Sequence, residues 1–175
     1  MDSEKEIIQN FIYHRDRLIK SLEEGEMDKE LFLFRNALLV EKLSMRPFNP
    51  VDSIEKGLYN YHYYNVLAKQ YNNLGNSTNG RKQKFNFNKR DNYYCEKDKS
   101  LEAMLELRNY KNVKAYFIHL HSTRLKNYIF EVVFTDKEYA IFHSKNIKIL
   151  NKLKKNRVFS ESPQKSLIDT YVNKP

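Results

Sequence analysis

Tryptophan is absent from this 175-residue chain, glycine and proline occur four times each, and there is one cysteine, Cys95. A lone cysteine cannot close an internal disulfide. This excludes a disulfide-stapled secreted scaffold and places the chain in the reducing cytosol, in keeping with a charged Met1–Glu6 segment where a secretion signal would need an apolar core. With so few glycines, the glycine-clustered phosphate loops, dinucleotide fingerprints and nucleophile elbows are excluded, and no Cys-x-x-Cys or His-Glu-x-x-His pattern occurs. No cofactor is expected. The apolar runs, such as Leu31–Phe34 and Ala37–Val40, fall far short of the roughly 20 residues that span a bilayer, so no membrane insertion is expected.

Acidic residues are missing from two long stretches. Between Glu55 and Asp91 the only charges are Lys56, Lys69, Arg81, Lys82, Lys84, Lys89 and Arg90; between Glu138 and Glu161 they are Lys145, Lys148, Lys152, Lys154, Lys155 and Arg157. Residues 1–60 carry 9 basic and 12 acidic side chains, so the net charge of +9 comes entirely from the later part of the chain. Such an imbalance is the footprint of a phosphate-rich partner. A plainer source is also present: abundant Asn, Lys, Ile, Tyr and Phe is the bias of an AT-rich coding sequence of the kind low-GC bacteria carry.

Apolar spacing predicts the elements. Ile7, Ile8, Phe11, Ile12, Leu18, Ile19 and Leu22 recur at helical intervals over 4–24, and Gly25 stands where a left-handed C-cap would end the helix. Asp28 caps a second helix running to about Met45, and the short link implies an antiparallel hairpin over 4–45. Pro47 and Pro50 break the chain; Asp52 with Glu55 reads as a capping pair opening a third helix over about 53–74, rich in tyrosine at 59, 61, 63, 64 and 71. Core packing accounts for most of that tyrosine pattern.

From Gly75 the turn-forming run to Gly80 and the alternation Phe85-Asn86-Phe87-Asn88 predict a basic loop or strand over 75–96. A fourth helix over about 97–109 follows. Then the period changes to two: 113–122, 128–135 and 139–144 read as antiparallel strands, with Asn146–Leu150 available as a fourth, and Ser166–Val172 as a short helical segment. The fold class read from this is α+β: a helical hairpin and third helix packed with a small antiparallel meander of three to four strands, in a single domain over 1–175.

Three functions compete. The first is a non-enzymatic cytosolic binder of RNA, single-stranded DNA or another polyanion. It would grip through Arg81, Lys82, Lys84, Lys89, Arg90, Lys145, Lys148, Lys152, Lys154, Lys155 and Arg157, with Phe85, Phe87, Tyr93 and Tyr94 to stack bases. The second is a small RNase-like enzyme in which His119, His121 or His143 acts with Arg124, Lys126 and Lys145 on a phosphodiester. His119 and His121, two apart on a strand, lie about 6–7 Å apart on one face. If Ser122 pairs with Asn127 and Thr135 with Glu138, His143 lies two strands from His119, too far for a shared metal. If Thr135 pairs with Tyr139 instead, His143 faces Glu131, a carboxylate–imidazole pair suited to general base work. No metal is assigned in either register. The third is a homodimeric interaction module built on the hairpin 4–45, because Leu31-Phe32-Leu33-Phe34 cannot all face one core from a single helix.

Overall fold

The computed structural model describes residues 3–119, 128–135, 139–144, 146–156 and 159–160. Helices α1 (Glu4–Glu23), α2 (Lys29–Lys42), α3 (Ile54–Asn76) and α4 (Gly80–Leu107) are followed by strands β1 (Lys114–His119), β2 (Tyr128–Val133) and β3 (Tyr139–Ser144). Helix α5 (Ile147–Lys155) and the two-residue β4 (Phe159–Ser160) complete the described chain. The chain divides within α4 into two compact units, one covering residues 1–101 and the other 102–175. Among the described residues no helix is long and apolar enough to cross a membrane.

This overturns the balanced α+β reading. The protein is predominantly helical, with helices of 20, 14, 23, 28 and 9 residues against three six-residue strands and one of two. Residues 80–96, expected as loop or strand, extend α4 by almost five turns. Residues 147–150, expected as a strand, open α5, and the last strand joins β1 in parallel, giving the order β3-β2-β1-β4. The segment 166–172 lies outside the described residues.

In the first unit each helix begins where a side chain can satisfy its free N–H groups. Ser3 and Glu6 form a reciprocal capping box on α1, and the Asp28 carboxylate accepts from the Leu31 N–H at 2.8 Å on α2. On α3 the cap is Ser53, which accepts from the Lys56 N–H, and not the expected Asp52. That carboxylate instead pairs with the Lys56 ammonium, which also reaches Glu4 of α1 at 2.8 Å. Between α1, α2 and α3 lies a core of Ile8, Phe11, Val40, Met45, Tyr59 and Val66. The Tyr59 ring meets Phe11 and Phe48 edge-on, with centroids at 5.4 and 4.8 Å. Buried Asn60 clamps the loop before α3 by accepting from the Phe48 N–H and donating to the Phe48 carbonyl.

Helix α4 returns along α3. Its inward residues are Asn86, Phe87, Arg90, Tyr93, Tyr94 and Lys97, at helical intervals of three and four, and none of these is aliphatic. Asn86 donates to the Thr78 hydroxyl and Gln83 to the Gly75 carbonyl, while the Arg90 guanidinium covers the Phe87 ring at 4.5 Å and donates to Asn72 of α3. Tyr93 packs on Tyr71 and Tyr64. Lys97 is buried with its ammonium 5.2 Å from the Tyr61 ring and 5.0 Å from the Tyr94 ring.

In the second unit β1 and β2 pair through Lys114↔Val133 and His119↔Tyr128, and β2 and β3 through Tyr128↔Ser144 and Val133↔Tyr139. Ala115, Val132, Phe134, Phe142, Ile149 and Leu153 are buried. Lys152 of α5 donates to the Glu102 carboxylate at 2.7 Å and to the Tyr110 hydroxyl at 3.4 Å.

The close approach of α3 and α4 rests on Gly75, which is buried; a Cβ there would overlap the edge of the Phe87 ring. Alanine would favour the helix by about 1 kcal/mol, but overpacking against a ring already pinned by Arg90 costs about 1–3 kcal/mol. Gly75→Ala is therefore expected to lower the melting temperature by a few degrees. A melting temperature at or above that of the wild type would show that the ring moves aside freely.

Candidate functional site

Helix α4 is docked on α3 by one face, so its opposite face is open along the first unit. Arg81, Lys82, Lys84 and Phe85 are exposed, and Lys89 is half-buried beside them. At 100° per residue these five side chains occupy about 160° of the helix circumference within a little over two turns. Phe85 is 55 % exposed, and the Lys89 ammonium sits 5.7 Å from its ring. No acidic residue occupies the first turn of α4. Basic side chains at this end oppose the helix dipole and add to its positive potential, which lowers helix stability and raises the attraction for an anion.

The other expected binding residues divide. Arg90 is committed to Phe87, Asn72 and Asp91. Phe87 is packed on Gly75, Tyr93 on Tyr64 and Tyr71, and Tyr94 lies beneath Lys97, which leaves Phe85 as the ring of the four that is open to a base. In the later tract Lys148 and Lys155 are exposed on α5, but Lys152 is held by Glu102 and Tyr110, which raise its pKa above the usual lysine range, and Glu106 lies 3.9 Å away. Lys154 lies on α5; Lys145 and Arg157 lie outside the described residues.

The sheet pairing places two of the three candidate histidines. His119 stands opposite Tyr128 and His143 opposite Ile129, while Glu131 stands opposite Ile141 and Tyr116. Both registers considered from the sequence are displaced, so His143 and Glu131 are not a cross-strand pair. Residues alternate between sheet faces along a strand, and this pairing assigns positions 119 and 143 to opposite faces. His121, Arg124 and Lys126 lie outside the described residues. Cys95 is exposed on α4.

The chain matches the model of a family of unknown function, DUF6648, over residues 1–175. The chain belongs to that family. No curated protein and no solved structure matches it.

Among the described residues, a histidine with altered chemistry is one the sequence did not mark, His62 of α3. Its Nδ1 is buried without a hydrogen-bond partner, and burial, reinforced by the nearby charges of Arg15 and Lys69, pushes its pKa from 6.5 down to about 3. No motif reports this, because it arises where residues far apart in sequence are brought together. The folded state thus binds fewer protons than the unfolded chain between about pH 3 and 6.5. The stability contribution is complete above the unfolded pKa and is lost as pH falls through that window, by at most about 1.4 kcal/mol per pH unit. Urea titrations between pH 7 and 4.5 are expected to show stability falling more steeply in the wild type than in His62→Gln. Parallel profiles for the two proteins would remove His62 as the source.

Proposed function

We propose that this protein is a non-enzymatic binder of single-stranded nucleic acid, acting in the cytosol through the open face of the N-terminal half of α4. The observation that carries the reading is the grouping of Arg81, Lys82, Lys84 and Lys89 around the exposed ring of Phe85 on one rigid helix. Cations fixed along a helix follow a phosphate backbone, and an open aromatic ring among them offers a stacking surface that only an unpaired base can use. Duplex DNA would engage the cations and leave the ring idle. A second reading has its own support: the exposed Leu31 and Phe34 of α2 favour a homodimer through the hairpin 4–45.

Fluorescence anisotropy with labelled oligo-uridine and oligo-thymidine tests the first reading. Affinity is expected to fall as salt rises. Replacing Arg81, Lys82, Lys84 and Lys89 by Gln should flatten the log–log salt slope by about 0.7 for each phosphate no longer neutralised. Phe85→Ala should weaken binding by about 1–3 kcal/mol while leaving the slope intact. Lys152→Gln, which removes the ion pair with Glu102, should lower thermal stability and leave the slope unchanged. Equal affinity for wild type and the four-residue variant across the titration would remove this face from the site.

A further inference from the structure

The cations on the open face of α4 are not equivalent. Arg81, Lys82 and Lys84 are exposed, whereas Lys89 is half-buried and its ammonium stands over the Phe85 ring at 5.7 Å. The helix itself makes that contact. Four residues set the two side chains about 40° apart in angle and about 6 Å apart along the axis, and a helical side chain leans toward the N-terminus, so Lys89 reaches back over Phe85 from the following turn. Asp91, the next carboxylate along α4, is bound to Arg90 at 2.8 Å and leaves Lys89 on the ring.

The contact makes the two faces of the ring unlike. An ammonium attracted by the ring electrons occupies one face, and a base stacking there would have to displace it. The other face is free. Phe85 is 55 % exposed and leans toward the preceding turn, which carries the exposed Arg81 and Lys82, so a base on the free face has cations within reach of its neighbouring phosphates. A cation held over a ring is also poorly placed to follow a phosphate. Lys89 and the three exposed cations therefore divide the work of the face.

We propose that the α4 face is a single-base site, in which one unpaired base stacks on the face of Phe85 turned away from Lys89 and its neighbouring phosphates meet Arg81, Lys82 and Lys84. Lys89 is a positioning residue that holds the ring, and it does not contact the strand. The proposal rests on the single-strand reading above and deepens it, by fixing how many bases the site takes and which cation neutralises no phosphate. Energetic coupling is then expected between Lys89 and Phe85, and not between Lys89 and the phosphates.

Anisotropy titrations of the full chain with three labelled RNA strands of equal length supply the test: one abasic throughout, one with a single central uridine, and one with two adjacent uridines. The single uridine should raise wild-type affinity about 5- to 150-fold over the abasic strand, and the second should add no more than its extra register supplies. Lys89→Gln should weaken binding to the single-uridine strand about two- to fivefold, yet leave its salt slope and the affinity for the abasic strand unchanged. In a Phe85→Ala background the same change should have no further effect. Lys89→Arg, which keeps a cation able to lie over a ring, should retain wild-type affinity. Lys84→Gln should instead lower the slope by about 0.7 on either strand. A lower slope or weaker abasic binding for Lys89→Gln, additive effects of Lys89→Gln and Phe85→Ala, or a larger gain from the second uridine would overturn the proposal and leave the single-strand reading standing. Equal wild-type affinity for the abasic and single-uridine strands would overturn both.

Discussion

The packing of α3 against the first half of α4 determines what this molecule can present to a partner. Residues 80–95 are poor helix formers on their own, with a glycine at the start, three asparagines and two phenylalanines among them. They hold a helix because Phe87 can close on Gly75, Arg90 can bridge that ring to Asn72, and Asn86 and Gln83 can satisfy groups at the end of α3. The same packing turns Arg81, Lys82, Lys84 and Phe85 outward. A chain that left 75–96 as a loop would carry identical charges, but at a variable spacing. Ordering them on binding would then cost entropy that the helix has already spent during folding.

That packing also explains where the sequence was legible. α1 and α2 are aliphatic on one side and end at plain signals: Gly25 at a φ of +75° and Asp28 at an N-cap. α4 hides its period because the face it buries is written in Asn, Phe, Arg, Tyr and Lys, which no hydropathy pattern distinguishes from a polar loop; the alternation of Phe85 to Asn88 then imitates a strand. The error over 147–150 has a different source. Ile147 and Ile149 satisfy a period of two, and only the continuation through Leu150 and Leu153 shows the helix. Registers and the surroundings of His62 depend on the meeting of distant segments, which no local pattern encodes.

Counting basic residues overstates the charge available to a partner. Lys56 joins Glu4 and Asp52, Lys97 is buried between two tyrosine rings, Arg90 covers Phe87, and Lys152 is bound to Glu102. Each is a cation used to hold elements together, where its long apolar stem packs and its head meets a ring or carboxylate. What separates these from Arg81, Lys82 and Lys84 is the surface they occupy. A tract of lysines in sequence is therefore a set of candidates, and the structure sorts it by whether a neighbour has already taken the charge.

The two surfaces on the first unit obey different physics. The α4 face is a row of exposed charges with one ring, so its attraction comes largely from counterion release and fades with salt. The α2 face is centred on the exposed side chains of Leu31 and Phe34, so added salt leaves its apolar attraction intact. A dimer through α2 would carry two α4 faces per particle, and a strand long enough to reach both would bind the second at an effective concentration set by the intervening nucleotides. Binding to long strands would then exceed binding to short ones, and the excess would vanish with the dimer even where each α4 face kept its affinity. Strand-length dependence therefore links the two surfaces, whereas the salt response of short strands reports on α4 alone.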